Sequence, residues 1–266
     1  MSAPADSPTF PTNGRVDLSG RTFVVTGGNG GIGLGMATGL AQAGAAVLIA
    51  GRNAAKNAAA VKTLKALGAK AAAVEADVTV QAECRALIEA ASDKFGRLDI
   101  LVNNAGTTIR KQPQHYTLEE WKLVLDTNLT SAFLCSQAAY PAMLEAGGGK
   151  IINIGSMLSI FGASFTGPYG ASKGGMVQLT KSLACAWAKD NIQVNAVLPG
   201  WIDTELTRQG RKEIAGLHER VLARTPAGRW GDPADFAGIA VFLAGSASDF
   251  LNGTAIPVDG GYSSQG

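Results

Sequence analysis

Charge is scarce in this 266-residue chain: 17% of it is Asp, Glu, Lys or Arg, and 23 basic against 21 acidic side chains leave a net charge of +2. The basic residues are dispersed, which excludes the footprint of a nucleic acid or an anionic membrane surface. Histidine is scarcer still. His115 and His218 are the two present, neither with a cysteine or carboxylate at ligand spacing, so no metal is expected and a Ser-His-Asp hydrolase is poorly supplied. Cys84, Cys135 and Cys185 stand far apart in helix-like sequence. That excludes a disulfide framework and reads as small buried side chains in a reducing compartment. No segment supplies the ~18 consecutive apolar residues of a membrane span. Residues 1–14, rich in Pro and Ser without an apolar run, read as a loose tail rather than a signal peptide. A soluble cytoplasmic protein is expected.

What the chain has in quantity is apolar sequence, 46% of the residues, which argues against disorder, and enough length for one large domain. Short apolar runs at 22–26, 45–50, 71–75, 100–102, 150–154, 193–197 and 255–258 alternate with helix-period segments at 32–43, 54–67, 80–95, 117–145, 169–188 and 233–244. Strands alternating with helices predict one α/β domain over residues 15–266, with a seven-stranded, mainly parallel sheet covered by helices on both faces. Thr117-Leu-Glu-Glu120 has the capping-box pattern, and Asp232-Pro233 places Asp at an N-cap and Pro at the first helical position. Residues 205–230 have mixed charge and weak periodicity and end in Pro226-Ala-Gly; they predict a mobile lid.

The first strand runs into Thr26-Gly-Gly-Asn-Gly-Gly-Ile-Gly33. Gly28, Gly30 and Gly33 satisfy G-x-G-x-x-G, while Gly27, Gly31 and Gly33 satisfy T-G-x-x-x-G-x-G. Glycines here let the backbone approach a pyrophosphate, and the following helix offers free N–H groups and partial positive charge. A dinucleotide is therefore expected over this turn, against Asn29 and Ile32 as well as the glycines. After the second strand comes Ala50-Gly51-Arg52-Asn53, with no carboxylate where an NAD site grips the ribose 2′-OH. Arg52 suits a 2′-phosphate, so NADP is the better fit and NAD stays open.

Further along, Asp77-Val78 can accept from an adenine amino group, or Asp77 can cap the next helix. The amides and small residues of Asn103-Asn-Ala-Gly106 suit close packing beside a cofactor at Asn104, Ala105 and Gly106, though they are also turn residues. Asn128, a poor helix former within Val124-Leu-Asp-Thr-Asn-Leu-Thr, is expected to face inward with a polar duty. Pro199-Gly-Trp-Ile-Asp-Thr204 follows the sixth strand. There the Ile202 backbone and Thr204 can reach a nicotinamide carboxamide, or the stretch is a turn leading into the lid.

Chemistry concentrates in Ser156 and Tyr169-Gly-Ala-Ser-Lys173. Ser156 ends an apolar strand, where ligands of α/β sheets collect. Tyr169 and Lys173, four apart, share a helix face, and an ammonium beside a phenol favours phenolate and brings its pKa toward neutrality. Taken in order, Thr26-Gly27 with Gly31 and Gly33, Asp77, Asn103-Asn-Ala-Gly106, Asn128, Ser156, Tyr169 with Lys173, Pro199-Gly200 with Thr204, and Val258-Asp-Gly-Gly261 resemble the short-chain dehydrogenase/reductase family from Leu18 to Tyr262.

That resemblance implies a single-domain Rossmann fold and hydride transfer between a secondary alcohol and a ketone. It makes Tyr169 the proton donor and acceptor and Ser156 the hydrogen-bond partner of the reacting oxygen. Lys173 would bind the nicotinamide ribose and lower the Tyr169 pKa, and Asn128 would hold a water linking Lys173 to solvent. A homotetramer packing the long helices is implied as well. Thr108-Ile-Arg110, Ser156-Met-Leu-Ser159 and Pro226-Ala-Gly-Arg-Trp-Gly231 resemble more narrowly the gluconate 5-dehydrogenase and 2-deoxygluconate 3-dehydrogenase group. A sugar acid or other polyhydroxy substrate is then expected against Arg110, Ser156, Met157, Tyr169 and Trp201. Arg110 either holds a substrate carboxylate or is a surface residue beside Lys111. The alternatives are a reductase of apolar ketones or 3-oxoacyl thioesters, which Met157, Leu158, Ile160 and Phe161 would suit, and a non-catalytic NADP-sensing protein.

Overall fold

Residues 16–265 are described by the computed structural model, and the expected tail at 1–14 lies outside the described residues. Seven strands, β1 (Thr22–Thr26), β2 (Ala46–Ala50), β3 (Ala71–Val74), β4 (Ile100–Asn103), β5 (Gly149–Ile154), β6 (Ile192–Pro199) and β7 (Ala255–Val258), line up in the order β3-β2-β1-β4-β5-β6-β7. Each neighbouring pair is parallel. The helices between them are α1 (Gly31–Gln42), α2 (Ala54–Ala66), α3 (Gln81–Phe95), α4 (Leu118–Leu125), α5 (Ser131–Glu145), α6 (Gly167–Trp187), α7 (Glu205–Glu213), α8 (Leu217–Arg224) and α9 (Ala237–Ala244).

Successive side chains of a strand point to opposite faces, so continuous apolar runs feed two cores at once. Phe23, Val25, Val47, Ile49, Ile100 and Val102 pack under α1, α2 and α9. Val24, Leu48, Leu101, Ile151 and Val194 pack under α3, α5 and α6. The doubly covered α/β sheet expected from the sequence is the fold observed.

Local differences have local causes. The segment at 117–145 is two helices: after α4, which starts with the expected capping box of Thr117 and Glu120, Asp126–Thr130 form a π turn before α5 begins. Helix α6 starts at Gly167 rather than at Tyr169, with Pro168 in its first turn where a missing N–H is harmless. The 205–230 segment carries two short helices. Helix α7 starts from a capping box between Thr204 and Thr207, and α8 buries Leu217 and Val221, one turn apart. At nine and eight residues both are short, so their periodicity has little length in which to show. Cys84 and Cys135 are buried as expected, whereas Cys185 is exposed on the outer side of α6.

Helices α1 and α9 approach closely because α1 presents glycine. A Cβ at Gly39 would meet the Ala237 carbonyl oxygen at 2.7 Å, and one at Gly35 would run into the backbone of Pro233. Backbone cannot give way as a flexible side chain can. Gly35→Ala should therefore cost about 1–3 kcal/mol, the range for overpacking a tight core. A urea-unfolding midpoint equal to that of the unsubstituted protein would show that α1 and the turn at Pro233, just before α9, separate freely.

Candidate active site

The two neighbours of β1 are β2 and β4, so the chain leaves β1 and β4 in opposite directions and a crevice opens beyond their carboxyl ends. Thr26 and Asn104 fix that opening. The Thr26 hydroxyl accepts from the amides of Asn104 at 3.0 Å and Ala105 at 3.1 Å. In return the Asn104 side-chain amide donates to the carbonyls of Thr26 and Gly27, both at 3.0 Å. The glycine turn is shaped around this staple. Gly27 and Gly31 take left-handed φ values of 63° and 50°, and a Cβ at Gly33 would stand 2.5 Å from the Gly27 carbonyl oxygen.

Over the turn lies a cavity of about 1030 Å³, at the upper end of the range for small-molecule sites. Its walls bring together Gly27, Asn29, Gly31, Ile32, Arg52, Asn53, Asp77, Val78, Asn104, Ala105 and Gly106 with Ser156, Tyr169, Lys173, Pro199, Gly200, Ile202 and Thr204. Five expected residues do not line it: Gly33, Asn128, Arg110, Met157 and Trp201. Gly33 lies behind the staple. Met157 is buried against Ala196 and Leu198, and Trp201 stacks edge-on with Trp230.

At one end of the cavity, β5 delivers Ser156 and the first turns of α6 deliver Tyr169 and Lys173. The Lys173 ammonium is buried, lies 5.7 Å from the centre of the Tyr169 ring, and donates to the Ile154 carbonyl at 2.7 Å. Burial lowers its pKa from 10.5 to about 8. Burial also raises the Tyr169 phenol, while the Ser156 hydroxyl and the Arg110 charge pull it back. Desolvation dominates at the phenol, and the Lys173 ammonium beside it is engaged by a backbone carbonyl.

Asn128 is fully buried in the π turn, facing inward as expected. Its side-chain oxygen accepts from the Thr107 amide at 2.7 Å, and its NH₂ donates to the Thr107 carbonyl at 3.0 Å and the Ser172 hydroxyl at 2.9 Å. The side chain thus ties the loop after β4 to α6, just beside Lys173. Thr204 caps α7, and its methyl would touch a Cβ at Gly31 at 3.2 Å, so α7 starts directly on the glycine turn.

The opposite end of the cavity holds more charge than the sequence around β2 shows. Arg52 faces Asp77 at 3.8 Å, and Lys56 donates to Glu205 at 2.6 Å. The Thr79 amide, above all, holds the Asp77 carboxyl below its usual range, with smaller help from the Thr79 hydroxyl and Arg52. Asp77 does not cap α3, whose N-cap is Val80; it closes the preceding turn instead. Asn29 donates to buried Asn57 at 2.7 Å, and Asn57 donates to the Gly51 carbonyl at 2.7 Å, joining the glycine turn to α2. Lys56, Asn57 and Glu205 were not expected at the site. A buried Asn in an Ala-rich helix was the one signal available; the Lys56–Glu205 pair spans 149 positions and leaves none.

Arg110 follows neither expectation simply. Its side chain is 17% exposed and donates to Glu213 at 3.0 Å and to the Leu206 carbonyl at 3.2 Å. It holds α7 against the loop after β4, while Lys111 beside it pairs with Glu120. Among the described residues no cluster of His, Cys, Asp or Glu could hold a metal ion, and no helix is long and apolar enough to cross a membrane.

Comparison with known proteins agrees with this geometry. Residues 27–263 match the family model described as enoyl-(acyl carrier protein) reductase. The chain is 44% identical over 246 residues to a 2-dehydro-3-deoxy-D-gluconate 5-dehydrogenase of Escherichia coli K12, covering 92% of this chain and 96% of that protein. It is 41% identical over 249 residues to the 5-keto-D-gluconate 5-reductase of the same organism, covering 94% and 98%. A solved gluconate 5-dehydrogenase from Burkholderia cenocepacia J2315, in complex with NADP and tartrate, superimposes with a TM-score of 0.89 at 40% identity over 95% of this chain and 98% of that one.

The buried Lys173 makes stability depend on pH with a definite sign. A base whose folded pKa lies below its unfolded value binds fewer protons when folded, so its penalty is full below about pH 8 and is relieved as pH rises toward 10.5. Tyr169, raised by burial, acts oppositely only above its ordinary 10.0. The difference in unfolding free energy between Lys173→Met and the unsubstituted protein, measured in urea without dinucleotide, should shrink between pH 8 and 10. A difference independent of pH would mean that Lys173 stays solvated.

Proposed function

The chain belongs to the short-chain dehydrogenase/reductase family and is a nicotinamide-dependent oxidoreductase, and from that premise we propose that it interconverts a secondary alcohol and a ketone on a sugar acid, with NADP preferred over NAD. One observation carries this: Ser156, Tyr169 and Lys173 stand on the wall of the same cavity whose other end is built from the glycine turn, Arg52 and Asp77. The relatives named for gluconate derivatives support the substrate class.

The residues present fit a pyridine dinucleotide. Gly27, Gly31 and Gly33 keep side chains off the turn where a pyrophosphate approaches, and the N-terminus of α1 offers free amides. Arg52 and Asn53 would hold the 2′-phosphate end and Asp77 with Val78 the adenine. Asn104, Ala105 and Gly106, with Pro199, Gly200, Ile202 and Thr204, would flank the nicotinamide half. When bound, the cofactor supplies or accepts the hydride.

Proton movement falls to the chain. In the reductive direction Tyr169 gives its phenolic proton to the substrate oxygen, and the Ser156 hydroxyl donates a hydrogen bond to the same atom, stabilising the charge that grows there. Lys173 holds the ribose, and its positive charge favours phenolate against the effect of burial. Asn128 fixes the Thr107 loop beside α6 and holds the turn at which a water would connect Lys173 to solvent. Arg110 supplies the cation for a substrate carboxylate. Its charge already favours phenolate at Tyr169, and it joins the lid at 205–230 to the site through Glu213 and Leu206.

A reductase of 3-oxoacyl thioesters is the second reading, favoured by the description of the matching family model. Met157, which would have lent that site an apolar wall, packs into the core instead. We further read the protein as a cytoplasmic homotetramer. Apolar side chains left exposed on α4 and α5, among them Leu118, Trp121, Phe133 and Leu144, support the assembly, and three free cysteines among the described residues support the compartment.

A panel of gluconate-type acids and hydrophobic ketones, followed by the cofactor's absorbance, tests the substrate class; turnover of the ketones alone would reject it. Tyr169→Phe should lower kcat by about 10²–10⁴-fold, the range for a lost general acid, while NADP affinity is kept. Arg52→Asp should move the ratio of kcat/KM from NADP toward NAD. A natural preference for NAD, unaltered by that substitution, would refute the assignment of Arg52.

A further inference from the structure

Lys56 is the third residue of α2, and its ammonium crosses the mouth of the cavity to Glu205, the first residue of α7, at 2.6 Å. Both residues line the cavity, together with Arg52 and Asp77. Lys56 is half exposed and Glu205 nearly fully so, so their bridge is screened and opens readily. At this end two cations face two carboxylates and the charges cancel. A 2′-phosphate brings close to two negative charges, which Arg52 alone cannot balance. Besides Arg52 and the buried Lys173 at the other end, Lys56 is the one cation lining the cavity among the described residues.

We propose that Lys56 is a second determinant of NADP over NAD, exchanging Glu205 for the 2′-phosphate and thereby unfastening α7 from α2. This rests on the assignment of NADP as the preferred cofactor. Glu205 is the counter-anion that holds Lys56 in reserve and, once released, repels the phosphate. Helix α7 stays attached on its other side through Arg110, which binds the Leu206 carbonyl and Glu213, so the exchange frees one edge of the helix and leaves the other anchored. With NAD the Lys56–Glu205 bridge has no competitor and remains closed. The two dinucleotides therefore leave the lid helix in different states.

Dissociation constants for NADP and NAD, measured by calorimetry at low salt, test this with Lys56→Gln and Glu205→Gln. Lys56→Gln should weaken NADP about ten-fold, as expected for one charge-assisted hydrogen bond, while NAD affinity changes by less than about two-fold and shows that the variant is folded. Glu205→Gln should tighten NADP selectively. Hydrogen exchange of residues 205–213 should be faster with NADP than with NAD in the unsubstituted protein, and equal for the two in Glu205→Gln. If Lys56→Gln leaves NADP affinity unchanged, or weakens both dinucleotides alike, while Arg52→Asp still costs NADP binding, Lys56 is a bystander and the cofactor assignment stands. If the unsubstituted protein binds NAD more tightly and Arg52→Asp changes nothing, the cofactor assignment fails and takes this inference with it.

Discussion

The hydrogen bonds between Thr26 and Asn104 are the constraint on which the site depends. Two parallel strands whose crossovers depart in opposite directions would splay at their ends, leaving backbone groups without partners. Here the threonine hydroxyl and the asparagine amide exchange bonds with the backbone at that point. The price of this staple is room: the Asn104 amide and the Gly27 carbonyl occupy the space any side chain at residue 33 would need. The start of α1, the direction of its free amides and the floor of the cavity follow from a four-bond cluster.

Charge is arranged differently at the two ends of that cavity. Near Ser156 the Lys173 ammonium is buried and the Tyr169 phenol half-buried beside it, and desolvation decides their titration, lowering Lys173 and raising Tyr169. Near Arg52 the charges are exposed and already paired, so each pair is weak and exchangeable. An end whose titrating groups are partly withdrawn from water suits proton transfer, which tolerates little misplacement. An exposed end with replaceable partners suits recognition of a ligand's charged periphery. Helix α7 touches both, through Glu205 at the outer end and through Arg110 toward the inner one.

Much of this was legible in the sequence because it is written locally. Apolar runs such as Phe23-Val24-Val25 mark strands; Thr117 with Glu120 and Asp232 with Pro233 mark helix starts. The set of residues from Gly27 to Thr204 resembles one family in order and interval. What the sequence hid is settled between distant segments. The partner of Lys56 is 149 positions away, and Arg110 is claimed by a helix about a hundred residues further on. The direction of the Tyr169 shift depends on burial, which a four-residue spacing does not report. Helices α7 and α8 were missed because each is only eight or nine residues long, too short for a period to register in mixed-charge sequence.

The break between α4 and α5 has a further result. A π turn accommodates one residue more than a regular helix, and here Asp126–Thr130 wind in that way as Asn128 turns inward to Thr107 and Ser172. Each residue of an α-helix advances the winding by about 100°, so sequence positions on the two halves fall out of phase by that amount. The bulge acts as a key cut into a shaft. It sets the outward bearing of Leu118 and Trp121 relative to Phe133 and Leu144, coupling the lie of these exposed apolar side chains to the same amide that braces the interior.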